Sequence, residues 1–97
     1  MRIASLGSGS KGNGTLIDDG NTCILIDLGF TLRETERRLR RLDVSPLDVD
    51  AVLVTHEHAD HIHGVGPFSR KYKRPVYLTQ GTYSNSKLGV LPHLRTI

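Results

Sequence analysis

Cys23 is the only cysteine, so no internal disulfide can form, and a reducing, cytoplasmic compartment is the simplest expectation. Long hydrophobic runs are missing too. The most apolar stretches, Ile24-Leu25-Ile26 and Ala51-Val52-Leu53-Val54, are far too short to cross a bilayer, so no membrane association is expected. No apolar segment follows Met1-Arg2; a Gly/Ser stretch begins within a few residues, and no secretory signal is expected there. Internal repeats and low-complexity linkers are absent as well. What is present is ordinary for one small soluble domain: 97 residues, 37% hydrophobic and 24% charged. The net charge of +3 is a mild basic bias that fits a polyanionic partner without specifying one. Cys23 lies in the run Thr22-Cys23-Ile24-Leu25-Ile26, where it reads as a small buried hydrophobe rather than a reactive thiol.

The chain opens with three short strands, expected over residues 2–6, 15–17 and 22–27. Between the last two, Asp18-Asp19-Gly20-Asn21 is a turn by composition, and the three strands should form an antiparallel meander. After Gly29, Thr31 and Glu34 have capping-box spacing, which places a helix over about residues 32–42. At about 100° per residue, Leu32, Thr35, Leu39 and Leu42 share one face. Arg33, Arg37, Arg38, Arg40 and Arg41 lie opposite and read first as a solvated face, with a nucleic-acid or acidic-partner surface as the alternative. Ser45-Pro46 has the form of a cap followed by proline at a first helical position. Residues 51–55 make a continuous apolar strand of the kind buried on both faces. Helix is expected towards the end of residues 62–73, weakened by Gly64, Gly66 and Pro67, and a further strand over 76–79. The tail, residues 88–97, yields no element. Locally paired strands followed by alternating helices and strands predict a mixed α/β fold.

The loop Gly7-Ser8-Gly9-Ser10-Lys11-Gly12-Asn13-Gly14 places Gly7 and Gly12 at the spacing of a phosphate-binding P-loop. Asn13 stands where that motif needs lysine, which argues against nucleotide binding of that kind. A plain hairpin connection is the leading reading. The alternative is a phosphate-contacting substrate loop built from backbone N–H groups and the side chains of Ser8, Ser10 and Asn13.

The chemistry concentrates in His56-Glu57-His58-Ala59-Asp60-His61, where four potential metal ligands, His56, His58, Asp60 and His61, fall within six residues after an apolar strand. Residues two apart in extended backbone point the same way, so His56 and His58 can reach one metal together. Asp60 and His61 follow the end of the strand, where the chain turns into a helix, and can serve a second metal nearby. Imidazole and carboxylate together suit zinc, with manganese or iron as alternatives. Two ions about 3.5–4 Å apart can share a bridging hydroxide, so that no protein nucleophile is needed. The helical metalloprotease pattern would need a second histidine at position 60, which is Asp60, and a structural zinc finger would need more than one cysteine. His63 and His93 read as solvated. Asp27, at the end of an apolar strand and before Leu28-Gly29, suits two roles that spacing does not separate. It could hold a metal-ligand histidine from behind, or cap the following turn.

Val54-Thr55-His56-Glu57-His58-Ala59-Asp60-His61 resembles the HxHxDH signature of the metallo-β-lactamase superfamily. Leu6-Gly7-Ser8-Gly9-Ser10-Lys11-Gly12-Asn13, Ile24-Leu25-Ile26-Asp27-Leu28-Gly29 and Arg70-Lys71-Tyr72-Lys73-Arg74-Pro75-Val76-Tyr77 are similar to its YycJ/WalJ-like branch, on the nuclease and phosphodiesterase side. The resemblance covers about positions 1 to 83. It implies the N-terminal half of a four-layer αββα sandwich, with His56 and His58 on the first zinc and Asp60 and His61 on the second. Asp60 would also lie beside the activated water as a catalytic residue, and Asp27 would be the family's acidic residue near the site. The family's remaining ligands, a histidine, an aspartate and a last histidine, come from a C-terminal part, so residues 1–97 are expected to be a truncated domain, inactive alone. The intact protein is expected to be a dizinc phosphodiester hydrolase acting on nucleic acid. A lactamase- or thioesterase-type hydrolase and an inactive metal-binding fragment are the alternatives. Because the family fold has two similar halves, two copies of the chain could pair as a homodimer through the exposed sheet face.

Overall fold

A computed structural model of the protein describes residues 1–9, 12–56, 59–79 and 93–96, with residues 59 and 60 described by backbone alone. Among the described residues six strands form one sheet in the order of the chain. Strands β1 (Arg2–Gly7), β2 (Gly14–Asp18) and β3 (Cys23–Ile26) are the expected antiparallel meander, with Leu16 paired to Ala4 on one side and Leu25 on the other. The β2–β3 turn closes as its composition predicts. Asp18 Oδ1 accepts the Gly20 N–H at 2.8 Å, and Asp19 Oδ1 accepts those of Asn21 and Thr22 at 2.9 and 2.7 Å. The Thr22 and Asn21 donors hold the Asp19 carboxyl below its ordinary range.

Helix α1 (Leu32–Arg41) then crosses to β4 (Ala51–Leu53), which pairs parallel to β3. Its cap is Thr31, whose hydroxyl accepts the Glu34 N–H at 3.2 Å. The Glu34 carboxylate turns instead to Arg37 at 2.7 Å and Arg38 at 2.9 Å, which drive its pKa down to about 2. A full reciprocal capping box forms at Ser45 and Asp48, around a single 3-10 turn over Pro46–Asp48. Two short helices, α2 (Ala59–Ile62) and α3 (Val65–Tyr72), lead to β5 (Val76–Leu78), parallel to β4. Strand β6 (Leu94–Thr96) adds to β5 in parallel, within a tail where no element is expected from sequence.

The register explains the core. Leu16, Leu25, Val52 and Val76 stand in one row across the sheet, all fully buried, and cluster with Leu39 of α1 and Val65 and Phe68 of α3. The other face carries Ile17, Ile24, Ile26, Leu53 and Tyr77, each half-buried, and Ile3, which is 68% exposed. The strand expected to be buried on both faces is therefore covered on one only: Val52 is enclosed, while Ala51 and Leu53 look out from the opposite face. Arg38 also departs from the solvated face assigned to it. Its guanidinium lies 4.2 Å over the Phe30 ring and donates to the Leu6 carbonyl, pinning α1 to the end of β1. On the same helix Glu36 accepts from Lys71 at 2.6 Å and from the Tyr72 hydroxyl, linking α1 to α3.

A candidate metal centre at the ends of β3 and β4

The site forms where two parallel strands stop. Asp27 follows β3 with φ of 63°, a left-handed conformation that aspartate tolerates better than most residues. Its backbone N–H still donates to Leu53 at 2.8 Å, while its buried carboxylate turns across the end of β4. There Oδ1 accepts the Thr55 N–H at 2.8 Å. Strand β4 ends at Leu53, short of the expected residue 55, because the Thr55 amide is taken by this carboxylate rather than by a neighbouring strand.

The chain then passes His56 and enters α2, which is held down from the other side. The Leu28 N–H donates to the His61 carbonyl at 2.8 Å, and the Gly64 N–H to the Leu28 carbonyl at 2.7 Å. A Cβ on Gly64 would collide with the Phe30 carbonyl oxygen, so only glycine lets the α2–α3 corner approach the segment after β3 this closely.

These contacts bring His61 against Asp27, with Nδ1 at 2.9 Å from Oδ2. The carboxylate only accepts, so the imidazole donates through Nδ1–H, and Nε2 is then the nitrogen whose lone pair could ligate a metal. Asp27 Oδ2 also accepts from Thr55 Oγ1 at 2.6 Å, and Thr55 Oγ1 lies 2.8 Å from His56 Nδ1. The His56 and His61 rings have centroids 4.6 Å apart, and one ligand atom from each of Asp27, His56 and His61 falls within a mutual 4.8 Å. His56 is exposed and the His61 side chain is 23% exposed, so the centre is open to solvent on the imidazole side and closed on the carboxylate side.

Of the residues singled out from sequence, Asp27, His56 and His61 are brought together. Asp60 lies in the single turn of α2, its side chain among those not described, and His58 falls outside the described residues. Asp27 spends its carboxylate on Thr55 and His61, not on capping the turn that follows it. In the glycine-rich loop Ser8 is exposed and Ser10 lies outside the described residues. The Asn13 amide clasps Gly9 through both of its groups, at 3.1 and 2.9 Å, which closes the hairpin, and its carbonyl accepts from Gly29 at 2.9 Å. His63 is exposed; His93 is half-buried, and its carbonyl accepts the Val76 N–H at 3.0 Å where β6 begins. Sequence reasoning missed Thr55. The available signal was a hydroxyl residue immediately before the first histidine.

A mixed sheet whose strand β4 ends just before His56, followed by the short helix α2 with a buried aspartate behind, is the N-terminal part of the metallo-β-lactamase fold. Residues 7–91 match the metallo-beta-lactamase superfamily, and the chain belongs to it. It is 40% identical over 90 residues to the exodeoxyribonuclease WalJ of Streptococcus pneumoniae serotype 2, covering 90% of this chain and 34% of that protein. It is 37% identical over 84 residues to the exodeoxyribonuclease YycJ of Bacillus anthracis, covering 87% and 32%. The chain thus spans about a third of the length of these curated relatives. Among solved structures, a B3 metallo-beta-lactamase with an active-site glutamic acid superposes with a TM-score of 0.76 at 23% identity, over 98% of this chain and 42% of that one. At that identity the likeness is one of fold. No helix among the described residues is long and apolar enough to cross a membrane.

Proposed function

We propose that residues 1–97 belong to the N-terminal part of a zinc-dependent phosphodiester hydrolase, a nuclease acting on DNA in the cytoplasm. The observation that carries this reading is the Asp27–His61 pair beside His56, since a carboxylate holding Nδ1 is the usual support of a metal-ligating imidazole. The donor chemistry fits: two imidazoles beside a buried carboxylate suit zinc, with manganese or iron next. The carboxylate has three of its roughly four acceptor directions taken by Thr55 and His61, which favours Asp27 as the holder of a ligand over Asp27 as a ligand itself. His56 and His58 then serve one ion and Asp60 and His61 another, with Asp60 beside the reacting water. When bound, such ions supply an activated water at neutral pH and neutralise charge developing on phosphoryl oxygens. The chain's own part is to orient the imidazoles and present the open side of the centre to the substrate. The exposed Arg33, Arg40 and Arg41 of α1 add positive charge for a polyanion. The names of WalJ and YycJ direct the substrate reading to DNA.

The test is metal analysis of the full-length protein together with an exonuclease assay on DNA ends. Two zinc ions per chain, with activity lost to a chelator and restored by zinc, are expected. Turnover of a lactam or thioester with no action on any phosphodiester would overturn the reading. The 97-residue chain by itself is expected to be inactive in the same assay.

A further inference from the structure

We propose that Thr55 is a positioning residue: its hydroxyl relays the Asp27 carboxylate to His56 and fixes that ring as the Nδ1–H tautomer. The proposal rests on the reading of His56 as a metal ligand and concerns what prepares it. Thr55 Oγ1 lies 2.6 Å from Asp27 Oδ2 and 2.8 Å from His56 Nδ1. A threonine hydroxyl has one proton, and the Asp27 carboxylate only accepts. Were the proton given to His56, two acceptor oxygens would face each other at 2.6 Å. The proton therefore goes to Asp27, and the hydroxyl accepts from His56 Nδ1–H. That leaves Nε2 as the ligating atom, the same tautomer that Asp27 imposes directly on His61.

One buried carboxylate thus sets both imidazoles, one by direct contact and one through a hydroxyl. The backbone helps, because Thr55 N–H also donates to Asp27 Oδ1 at 2.8 Å, so Thr55 is gripped at two points and its hydroxyl has little freedom to turn away. A residue with the same shape and no hydroxyl would release His56 to rotate and to exchange tautomers. His56 is exposed, and among the described residues Thr55 Oγ1 is the hydrogen-bond partner of its ring, which makes it the more dependent of the two rings.

The experiment uses the full-length protein, with Thr55→Val and Thr55→Ser. Nitrogen-detected NMR of the metal-free protein reads the tautomer of each histidine, and competition with a chromophoric chelator reads zinc affinity. The wild type should show His56 protonated at Nδ1. Thr55→Val should mix the His56 tautomers, leave His61 unchanged, and weaken zinc binding about 10- to 100-fold. Thr55→Ser should restore both readouts. A wild-type His56 protonated at Nε2 overturns the relay without any variant being needed, as does a folded Thr55→Val protein with wild-type tautomer and affinity. A wild type that takes up no zinc while its metal-free tautomers are as stated overturns the metal-site reading and leaves the relay supported, so the two failures are distinguishable.

Discussion

Cys23 shows how one strand position sets side-chain chemistry. It is 5% exposed at the start of β3, and its N–H donates to Asp50 at 2.8 Å. Burial first, then the carboxylates of Asp18 and Asp50, push its thiol from 9.0 up to about 11. Below pH 9 the thiol is protonated in both folded and unfolded chains and contributes no pH dependence. Between pH 9 and about 11 the unfolded chain releases the proton while the folded one retains it, so rising pH favours unfolding. The wild type should therefore lose stability to urea more steeply than Cys23→Ala across that window, and its thiol should resist alkylation at pH 7 until the protein is unfolded. At the candidate metal centre, Asp27→Asn keeps the shape but turns a donor towards Thr55 or His61. We expect about 1–3 kcal/mol lower stability from the unpaired groups and about 10- to 100-fold weaker zinc binding. Urea titration and chelator competition read the two effects separately.

At the scale of elements, the centre depends on how α2 is seated. Gly64 read in sequence as a weakness in a helix; in the fold it is the point where the helix corner meets the Phe30 carbonyl. Gly64→Ala must displace backbone, not a flexible side-chain tip. Overpacking of this kind costs about 1–3 kcal/mol, and because the same corner holds the His61 carbonyl, zinc affinity should fall with stability. If calorimetry found affinity unchanged in a destabilised Gly64→Ala protein, α2 seating and ligand geometry would be uncoupled. Much of this architecture was legible locally. The Asp/Gly turn and the Thr31 cap follow from short-range rules about side chains bonding nearby backbone, and a turn into helix was expected after the first histidines, where α2 begins at Ala59. What was not legible depends on distant partners. The capping box expected at Thr31 lost Glu34 to two arginines and formed at Ser45 instead. Strand β4 ended early because Asp27, 28 positions away, took the Thr55 amide. Strand β6 is three residues long and exists by pairing with β5, which no pattern within Leu94–Thr96 announces.

Across the whole molecule, the sheet has one closed face and one open face, and adjacent residues of β4 report on them in opposite ways. Val52 is fully buried under the helices, whereas Leu53 lines an apolar cleft on the other side with Ile24 and Tyr77. An aspartate at Val52 would place an unpaired charge among Leu25, Val76 and the helices, at an effective cost of several kcal/mol. That is comparable with the 5–15 kcal/mol (about) that holds a whole domain, so Val52→Asp should unfold the 97-residue chain. Leu53→Asp should leave it folded, because the new carboxylate can reach water. The sequence-based expectation that two copies of this chain pair can be tested on this open, apolar face. If the copies pair there, light scattering of the 97-residue chain should show concentration-dependent association that Leu53→Asp removes while circular dichroism stays that of the wild type. If both substitutions unfolded the chain, the open face would be part of the core; if the wild type stayed monomeric at high concentration, the face would not pair.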